Sequence, residues 1–418
     1  MPWAADPRTD YDAIVIGASL AGCTTAILLG RAGVRVALVE KRPDPGAFKR
    51  ICSHYIQPSA VPTLERLDLL DPIMAAGGVR SRPRVRTPYG WIVAPPDPLG
   101  FGVNLRRERL DPLMREAAAG TPGVELIPGR TASGLLREEG SVRGAVVRDR
   151  AGQQTELHAA IVVGADGRDS EVAKMAGVSE KTLPHGRFTY AAYFADAVPA
   201  TGHGSSVWMM DPQVAAAFPT DSELVIYAAM PTMDRLPEFK RDPLAALISF
   251  VAGVPDAPPI REGRLVGSVL GKLDMTNRVR APAAPGLALV GDAALATDPL
   301  FGVGCGWALQ SAEWLADSVT PGLLGAEPLR RSLGRYGRRH RRRLRGHAFL
   351  IHDYATGRRM GLPERTVFAA AARDPQLAAT FHAFGGRQIG PTRLFATAVP
   401  RLVAVKARDA LCSRREST

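Results

Sequence analysis

The chain has 418 residues, 46% of them hydrophobic and 22% charged. Those proportions exclude a disordered tail or a fibrous repeat and describe a globular protein long enough for two or three domains. The formal net charge of +12 raises nucleic-acid binding, but the excess is concentrated in one late helix and no nucleic-acid module accompanies it. Anionic small molecules are the simpler partners. Cys23, Cys52, Cys305 and Cys412 stand without C-x-x-C pairing, so neither a zinc site nor a disulfide framework follows, and free thiols fit a reducing cytosol. The opening MPWAADPRTD lacks the apolar core of a signal peptide, and no run reaches the roughly 18–20 apolar residues of a membrane span. A cytoplasmic location is expected.

Residues 11–40 organise the rest. An apolar run, Ala13 to Ile16, breaks at Gly17 into GASLAG. Ala21, Thr24, Thr25, Leu28 and Leu29 then recur at helical spacing until Gly33, and a β-branched run from Val34 ends in Glu40. Strand, tight turn, helix and strand with a terminal acid make a dinucleotide-binding βαβ unit. Gly17 permits the turn, and a small residue at 19 admits a pyrophosphate against bare backbone. Gly22 lets helix and strand pack closely, and the helix N-terminus offers unpaired N–H groups to the phosphates. The middle glycine of G-x-G-x-x-G is Ser19 here. Gly17, Ala18, Ser19, Leu20, Ala21 and Gly22 are expected to cradle the phosphates. Glu40, with Lys41 beside it, is expected at the adenosine ribose.

Beyond Glu40 a Pro/Gly loop leads to Lys49 and Arg50, a polar patch, and a helix expected near Ala60 to Leu70. Residues 81–103 alternate around Val85, Trp91 and Val93 as short antiparallel strands, and 104–120 form a helix. Strands are expected at 124–127, 131–137 and 142–148, and a buried strand at 159–167 runs into GADG. From 185 to 280 the segments are extended, with one helix at 242–252, as in an inserted sheet domain. Residues 287–319 return to strand, loop and helix. The remainder is helical and includes the arginine-dense RYGRRHRRRLRGHAFLIHDYA.

Three motifs thus stand in order: GASLAG with Glu40, GADGRDS at 164–170, and GLALVGDAALATDPLFGVGCG at 286–306. The set resembles the FAD-dependent monooxygenases of the aromatic-hydroxylase fold (class A type), in the superfamily that includes geranylgeranyl reductases and flavin halogenases. The likeness runs over most of residues 11–320. It implies an α/β fold with a Rossmann-like, GR2-type FAD-binding domain formed by residues 1–80, 104–184 and 281–320. A mostly antiparallel β-sheet substrate domain (81–103 and 185–280) would be inserted into it, and a C-terminal helical region (321–418) would follow.

The resemblance also implies roles. Asp166 and Gly167 would approach the FAD pyrophosphate and help place a nicotinamide cofactor. Asp292 would bind ribityl or ribose hydroxyls, a task that suits a carboxylate. Pro299, Gly302, Val303 and Gly304 would bring backbone and a helix N-terminus to the flavin N1–C2=O edge, where reduction places negative charge. Arg50 and Arg107 would hold the pyrophosphate. Cys52, Ser53, His54 and Gln57 would lie near the isoalloxazine ring as polar packing. Tyr193, Trp208, Met210, Phe218 and Tyr227 on the inserted sheet would floor an apolar substrate pocket. No side chain announces itself as a catalytic base, so the flavin carries the chemistry.

This sequence departs from the hydroxylases at Leu295 (usually His), Gly306 (usually Asn) and Ser311 (usually Asp), which leans toward the reductase and halogenase branches. The halogenase W-x-W-x-I-P signature is absent, since Trp91 stands in GWIVAPP. The leading expectation is a monooxygenase that hydroxylates or epoxidises an aromatic or polyene molecule with O₂. NAD(P)H would be a transient reductant, because no second G-x-G-x-x-G is present. The alternatives are a flavin-dependent reductase of an isoprenoid or other unsaturated lipid, and a non-catalytic FAD protein. No metal, nucleic acid or membrane span is expected, while the arginine-rich helix leaves room for peripheral membrane contact.

Overall fold

The computed structural model describes residues 10–93, 100–199 and 204–401. Parts of the expected 81–103 strands and of the C-terminal region, with Cys412, fall outside them. The chain opens with β1 (Ala13–Ile16), α1 (Leu20–Arg31) and β2 (Val36–Glu40), all but the last residue of α1 buried. Two short helices, Val61–Arg66 and Leu70–Ala75, replace the single helix expected near 60–70. Strand β3 (Arg84–Thr87), helix α2 (Arg107–Ala119) and strand β4 (Val124–Pro128) follow. Further on come β5 (Ile161–Gly164), β6 (Thr189–Ala195), β7 (Ser206–Met209), β8 (Val214–Pro219) and β9 (Val225–Met230). Helix α3 (Pro243–Ala252) starts at Asp242, whose side chain accepts from Ala245 N. The chain continues through β10 (Arg264–Lys272), β11 (Leu287–Leu289) and α4 (Gly304–Leu323). It ends in α5 (Leu329–Ala355), α6 (Leu362–Ala371), α7 (Pro375–Gly385) and a helical stretch over 391–401.

A six-stranded sheet carries the first layer. Its order is 283–284, β11, β5, β1, β2, β4, and every pairing is parallel except that of the short edge strand. Both faces of a parallel sheet must be covered, which explains the uniformly apolar β1, β2 and β5. Helices α1, α2 and α4 cover one face through Val15, Leu29, Leu38, Met114 and Leu315. An antiparallel meander of residues 131–138, 141–148 and 154–158 covers the other through Val142, Ala145, Val147 and Leu157. The strand at 124–128 belongs to the parallel sheet rather than to that meander. The meander's third strand, Gln154–His158, has an exposed polar face that masks it in sequence.

The inserted layer is a seven-stranded sheet ordered β10, β6, β9, β8, β7, β3 and Gly90–Ile92, antiparallel except where β7 meets β3. One face packs on α3 through Phe188, Trp208, Tyr227 and Phe250. The opposite face, with Met209, Phe218, Ile226 and Met230, turns toward Tyr55, Leu300 and the C-terminal residues Tyr354 and Met360. No helix among the described residues is long and apolar enough to cross a membrane.

Two glycines set the junction of turn, helix and sheet. Gly17 has φ +106°, and a Cβ there would lie 2.6 Å from Ala165 O at the end of β5. A Cβ on Gly22 would lie 1.8 Å from Gly17 O, closer than any relaxation of one side chain can relieve. Gly22→Ala is therefore expected to lose about 1–3 kcal/mol or more in urea unfolding, whereas Ser19→Gly should unfold close to wild type. Equal midpoints for Gly22→Ala and wild type would contradict this packing.

Candidate active site

The first turn of α1 has no side-chain cap, so its N–H groups open toward solvent space at Leu20 and Ala21. Glu40, buried at the end of β2, accepts from Ala18 N through Oε2 (2.9 Å) and from Arg42 N and Nε through Oε1 (3.0 Å each). Those bonds, opposed by burial, hold its carboxyl below the usual range. Oε1 is thereby fully engaged, and Oε2 keeps a lone pair for a ligand hydroxyl. Lys41 beside it is exposed.

Ser19 Oγ accepts from Arg107 Nη2 at 2.6 Å, and Arg107 pairs with Asp111 one helical turn later, also at 2.6 Å. Asp111 Oδ2 in turn accepts from Lys49 N at 2.9 Å. Lys49 Nζ reaches Asp292 Oδ2 at 3.3 Å, so the GD turn after β11 is linked back to the loop after β2. Arg50 is exposed on the rim. The Asp166 carboxylate accepts from Ser170 Oγ (2.6 Å) and Val172 N (3.0 Å), locking the turn after β5. Gly291 N donates to Ser311 Oγ at 2.9 Å, so Ser311 anchors the GD turn from within α4. Gly302 takes φ +60° just before α4, whose N-terminus also lacks a side-chain cap.

These pieces surround one cavity of about 980 Å³. Every residue expected to bind the cofactor lines it except Ala18, Gly22 and Val303, which are buried behind the wall. The cradle fits FAD in donor chemistry: open helix N-termini for a pyrophosphate, and Glu40 and Asp292 for hydroxyls at separate points. Among the described residues no cluster of His, Cys, Asp and Glu could hold a metal.

The cavity continues into an apolar chamber walled by one face of the inserted sheet and by the C-terminal helices. Val207 and Met209 of β7, Ala216 and Phe218 of β8, and Ile226, Ala228 and Met230 of β9 line it, facing Ile351, Tyr354, Met360 and Phe368. Of the aromatic floor read from sequence, only Phe218 lies here. Trp208 and Tyr227 occupy the alternate positions of their strands and point into the core against α3, where Trp208 Nε1 donates to Pro255 O (2.9 Å) and Tyr227 OH to Ala197 O (2.6 Å). Met210 packs against that same core. Tyr193 is withdrawn to the side, its hydroxyl hydrogen-bonded to His54 Nε2. The signal that assigns the faces is the two-residue period: β7 presents two apolar side chains, Val207 and Met209, and β9 three, Ile226, Ala228 and Met230, on the face opposite their large aromatic.

Sequence reasoning treated Cys52 and Cys305 separately, whereas the fold brings their Sγ atoms to 3.6 Å across the cavity wall. The hydrogen bond from Cys305 holds the Cys52 thiol well below its usual range, against burial and with help from His54 and Arg107. Cys305 is pushed up by the same bond and by burial, so it keeps the proton. His54 Nδ1 accepts from Arg107 N at 3.1 Å, which puts the ring proton on Nε2, toward Tyr193. Gln57 Nε2 spans to Phe301 O and Gly385 O at 3.0 Å each, tying the loop before α4 to the end of α7.

A conserved-domain model described as an FAD binding domain matches residues 10–325, and the chain belongs to that family. It is an FAD-dependent oxidoreductase with the mixed α/β architecture that the sequence motifs imply. Among curated proteins it is similar to a digeranylgeranylglycerophospholipid reductase of Methanosarcina acetivorans, 28% identical over 309 residues (70% of this chain, 71% of the relative). It is also similar to squalene epoxidase 3 of Arabidopsis thaliana, 26% identical over 75% of this chain and 61% of the relative. Among solved structures, the flavin-dependent brominase Bmp2 superposes with a TM-score of 0.79 at 17% identity over 96% of this chain and 99% of that one. The p-nitrophenol 4-monooxygenase PnpA of Pseudomonas putida gives 0.72 at 20% identity, over 92% and 99%. At those identities the structural likeness speaks for the fold alone.

Two measurements check the site. Glu40→Ala and Asp292→Ala should each weaken FAD retention roughly ten- to a hundredfold, the loss of charge-assisted hydrogen bonds worth about 1.5–3 kcal/mol; unchanged FAD affinity in either would remove that residue from the site. Because Cys52 is depressed, its thiolate persists as pH falls below the ordinary thiol range of about 8.5. Iodoacetamide should therefore label Cys52 at neutral pH before Cys305, and Cys305→Ala should move that reactivity to higher pH. Equal labelling of the two thiols would refute the asymmetry.

Proposed function

We propose that the protein is an FAD-dependent reductase that saturates carbon–carbon double bonds in a long apolar chain of isoprenoid type. The observation that supports it best is the continuity of the cofactor groove with a chamber of mostly aliphatic side chains, ended by Ile351, Met360 and Phe368, with the unpaired Tyr354 hydroxyl as the one polar group among these end-wall residues. A hydroxylated aromatic ring would want polar partners at a fixed edge, whereas a polyene needs only shape and dryness. The names of the curated relatives point the same way, since one is a reductase of a geranylgeranyl lipid.

FAD, once reduced by NAD(P)H, would supply the hydride that such a reduction requires, and water would supply the proton. The chain's own groups hold it: the α1 N-terminus takes the pyrophosphate, Glu40 the ribose, and Asp292 the hydroxyls nearer the ring. Arg107 acts from behind, through Ser19, to fix the turn. The α4 N-terminus, preceded by Gly302, would stabilise the ring edge that becomes negative on reduction. NAD(P)H would visit the same cavity transiently, the described residues having one dinucleotide-binding βαβ unit.

The thiol pair supports reduction over oxygenation. Electrophilic oxygen oxidises thiolates, and susceptibility follows thiolate character. A depressed Cys52 beside Cys305 in the wall of the reaction chamber suits a site that delivers hydride, and would be consumed in one that transfers oxygen. Oxygenation remains the second reading because squalene epoxidase 3 is among the relatives. Dithionite-reduced enzyme, mixed anaerobically with a polyprenyl lipid, should return a product heavier by two hydrogens per double bond and reoxidise its flavin. A product that appears only with O₂ and carries one labelled oxygen atom would overturn the reductase reading.

A further inference from the structure

Behind the chamber lies a second space, a surface groove of about 1010 Å³ between α5, the N-terminal half of α4 and the segment after α7. Arg341, Arg342, Arg343, Arg345 and Arg387 line it, and among the described residues no carboxylate does. The four helix arginines make no ion pair with a described acid, unlike Arg335 and Arg339 on the same helix, which are satisfied by Glu327 and Asp317. Trp307, Trp314, Leu350 and the exposed Phe349 (67%) and Phe395 (51%) give the wall an apolar share beside the polar Gln310, His347, Gln388 and Thr392.

Arg387 stands where groove and chamber meet, since it lines both, as do His347, Leu350 and Phe395. Its guanidinium lies over Phe301 and Trp307, about 6 Å from each ring centre. Nη1 donates to His347 Nδ1 at 2.7 Å, while Nε and Nη2 are buried with no protein partner. Burial without an acid pulls the Arg387 pKa down to about 9, and it pulls His347 down to about 3, so the imidazole is a neutral acceptor. Two buried cationic N–H groups left open cost free energy that a bound anion would recover. An arginine fork fits a phosphoryl group in particular.

We propose that Arg387, with Arg342 and Arg345 at the groove mouth, forms a phosphoryl-binding site that holds the anionic head of an amphiphilic substrate while its apolar chain enters the chamber. This rests on the reading of the chamber as an isoprenoid site and adds what the chain carries at its end. The apolar share of the groove favours an amphiphile over a soluble dinucleotide, and the wall that groove and chamber share at Leu350 and Phe395 is where the chain would pass.

The test uses oxidised holoenzyme without turnover, with geranylgeranyl diphosphate and geranylgeraniol as probes read by perturbation of the flavin spectrum. The diphosphate should bind at least about tenfold more tightly than the alcohol. Arg387→Gln and the exposed double variant Arg342→Gln/Arg345→Gln should each erase that difference, and the double variant should leave alcohol binding and FAD content unchanged. Inorganic pyrophosphate should compete with the diphosphate and not with the alcohol. Equal affinity for the two probes overturns the proposal, as does a preference that survives both variants or an equal weakening of both probes. Displacement by NADPH but not by pyrophosphate would make the groove a dinucleotide site. Arginine-dependent binding to phosphatidylglycerol vesicles that pyrophosphate leaves intact would make it a membrane-docking face. Because no reduction is measured, head-group preference and double-bond chemistry can fail independently.

Discussion

The buried pair of Arg107 and Asp111 is the contact on which the site depends. Both side chains are nearly inaccessible, at 4% and 0% exposure. Such a pair adds little net stability, but removing one partner leaves a buried charge uncompensated, at a cost of about 3–5 kcal/mol. What the pair secures is position. Arg107 fixes Ser19 in the phosphate turn, its backbone N–H orients His54, and its guanidinium faces Cys52, while Asp111 holds the backbone at Lys49. Elements far apart in sequence are thereby set relative to one another by a single helical turn of α2. An aspartate four residues after an arginine on a helix is the usual spacing of a surface pair; here burial makes it a joint.

Much of the cofactor layer was legible because its constraints are local. A strand that must turn at once, a helix that must pack within contact of that turn, and an acid at the end of the next strand leave GASLAG and Glu40 little freedom. The GD turn and the Gly-rich entry to α4 are equally local. The inserted sheet was legible as strands but not as faces. Trp208 and Tyr227 look like pocket aromatics in sequence because large apolar side chains suit either side of a sheet; only the cover of α3 on one side and of α5 and α6 on the other decides which face is core. The Cys52–Cys305 contact depends on a chain separation no local pattern encodes.

The departures from the hydroxylase pattern have physical counterparts. Ser311 satisfies the backbone N–H of Gly291 with a short neutral hydroxyl, a task an aspartate could do only by burying charge. Leu295 is buried and pairs with Val279 in a short antiparallel bridge, so an imidazole there would enter an apolar layer. Gly306 leaves space beside Gln57, whose Oε1 is buried and unpaired 3.5 Å from where a Cβ would stand. A side-chain amide at 306 would approach that oxygen, and its absence leaves the wall beside the cofactor groove less polar. The three changes act in one direction, lowering charge and hydrogen-bonding capacity around the start of α4.

Helix α5 then explains how an excess of arginine coexists with an apolar chamber. Its buried stripe, Leu333, Tyr336, His340, Leu344, His347 and Ile351, follows helical spacing, and Tyr336 OH donates to Leu289 O at 2.6 Å to seat the helix on the parallel sheet. The histidines in that stripe are kept neutral by burial, His340 near a pKa of about 4, so they belong to the packed face despite their polarity. Cations therefore collect on the opposite side, and the helix divides two environments along its length: near its N-terminal half they meet Glu327 and Asp317, and Arg341, Arg342, Arg343 and Arg345 meet no carboxylate among the described residues. The same stretch that lacks acids is the one where the apolar chamber opens. Charge on the outer face and aliphatic packing on the inner face thus meet at His347 and Leu350, where one amphipathic helix separates water from the chamber.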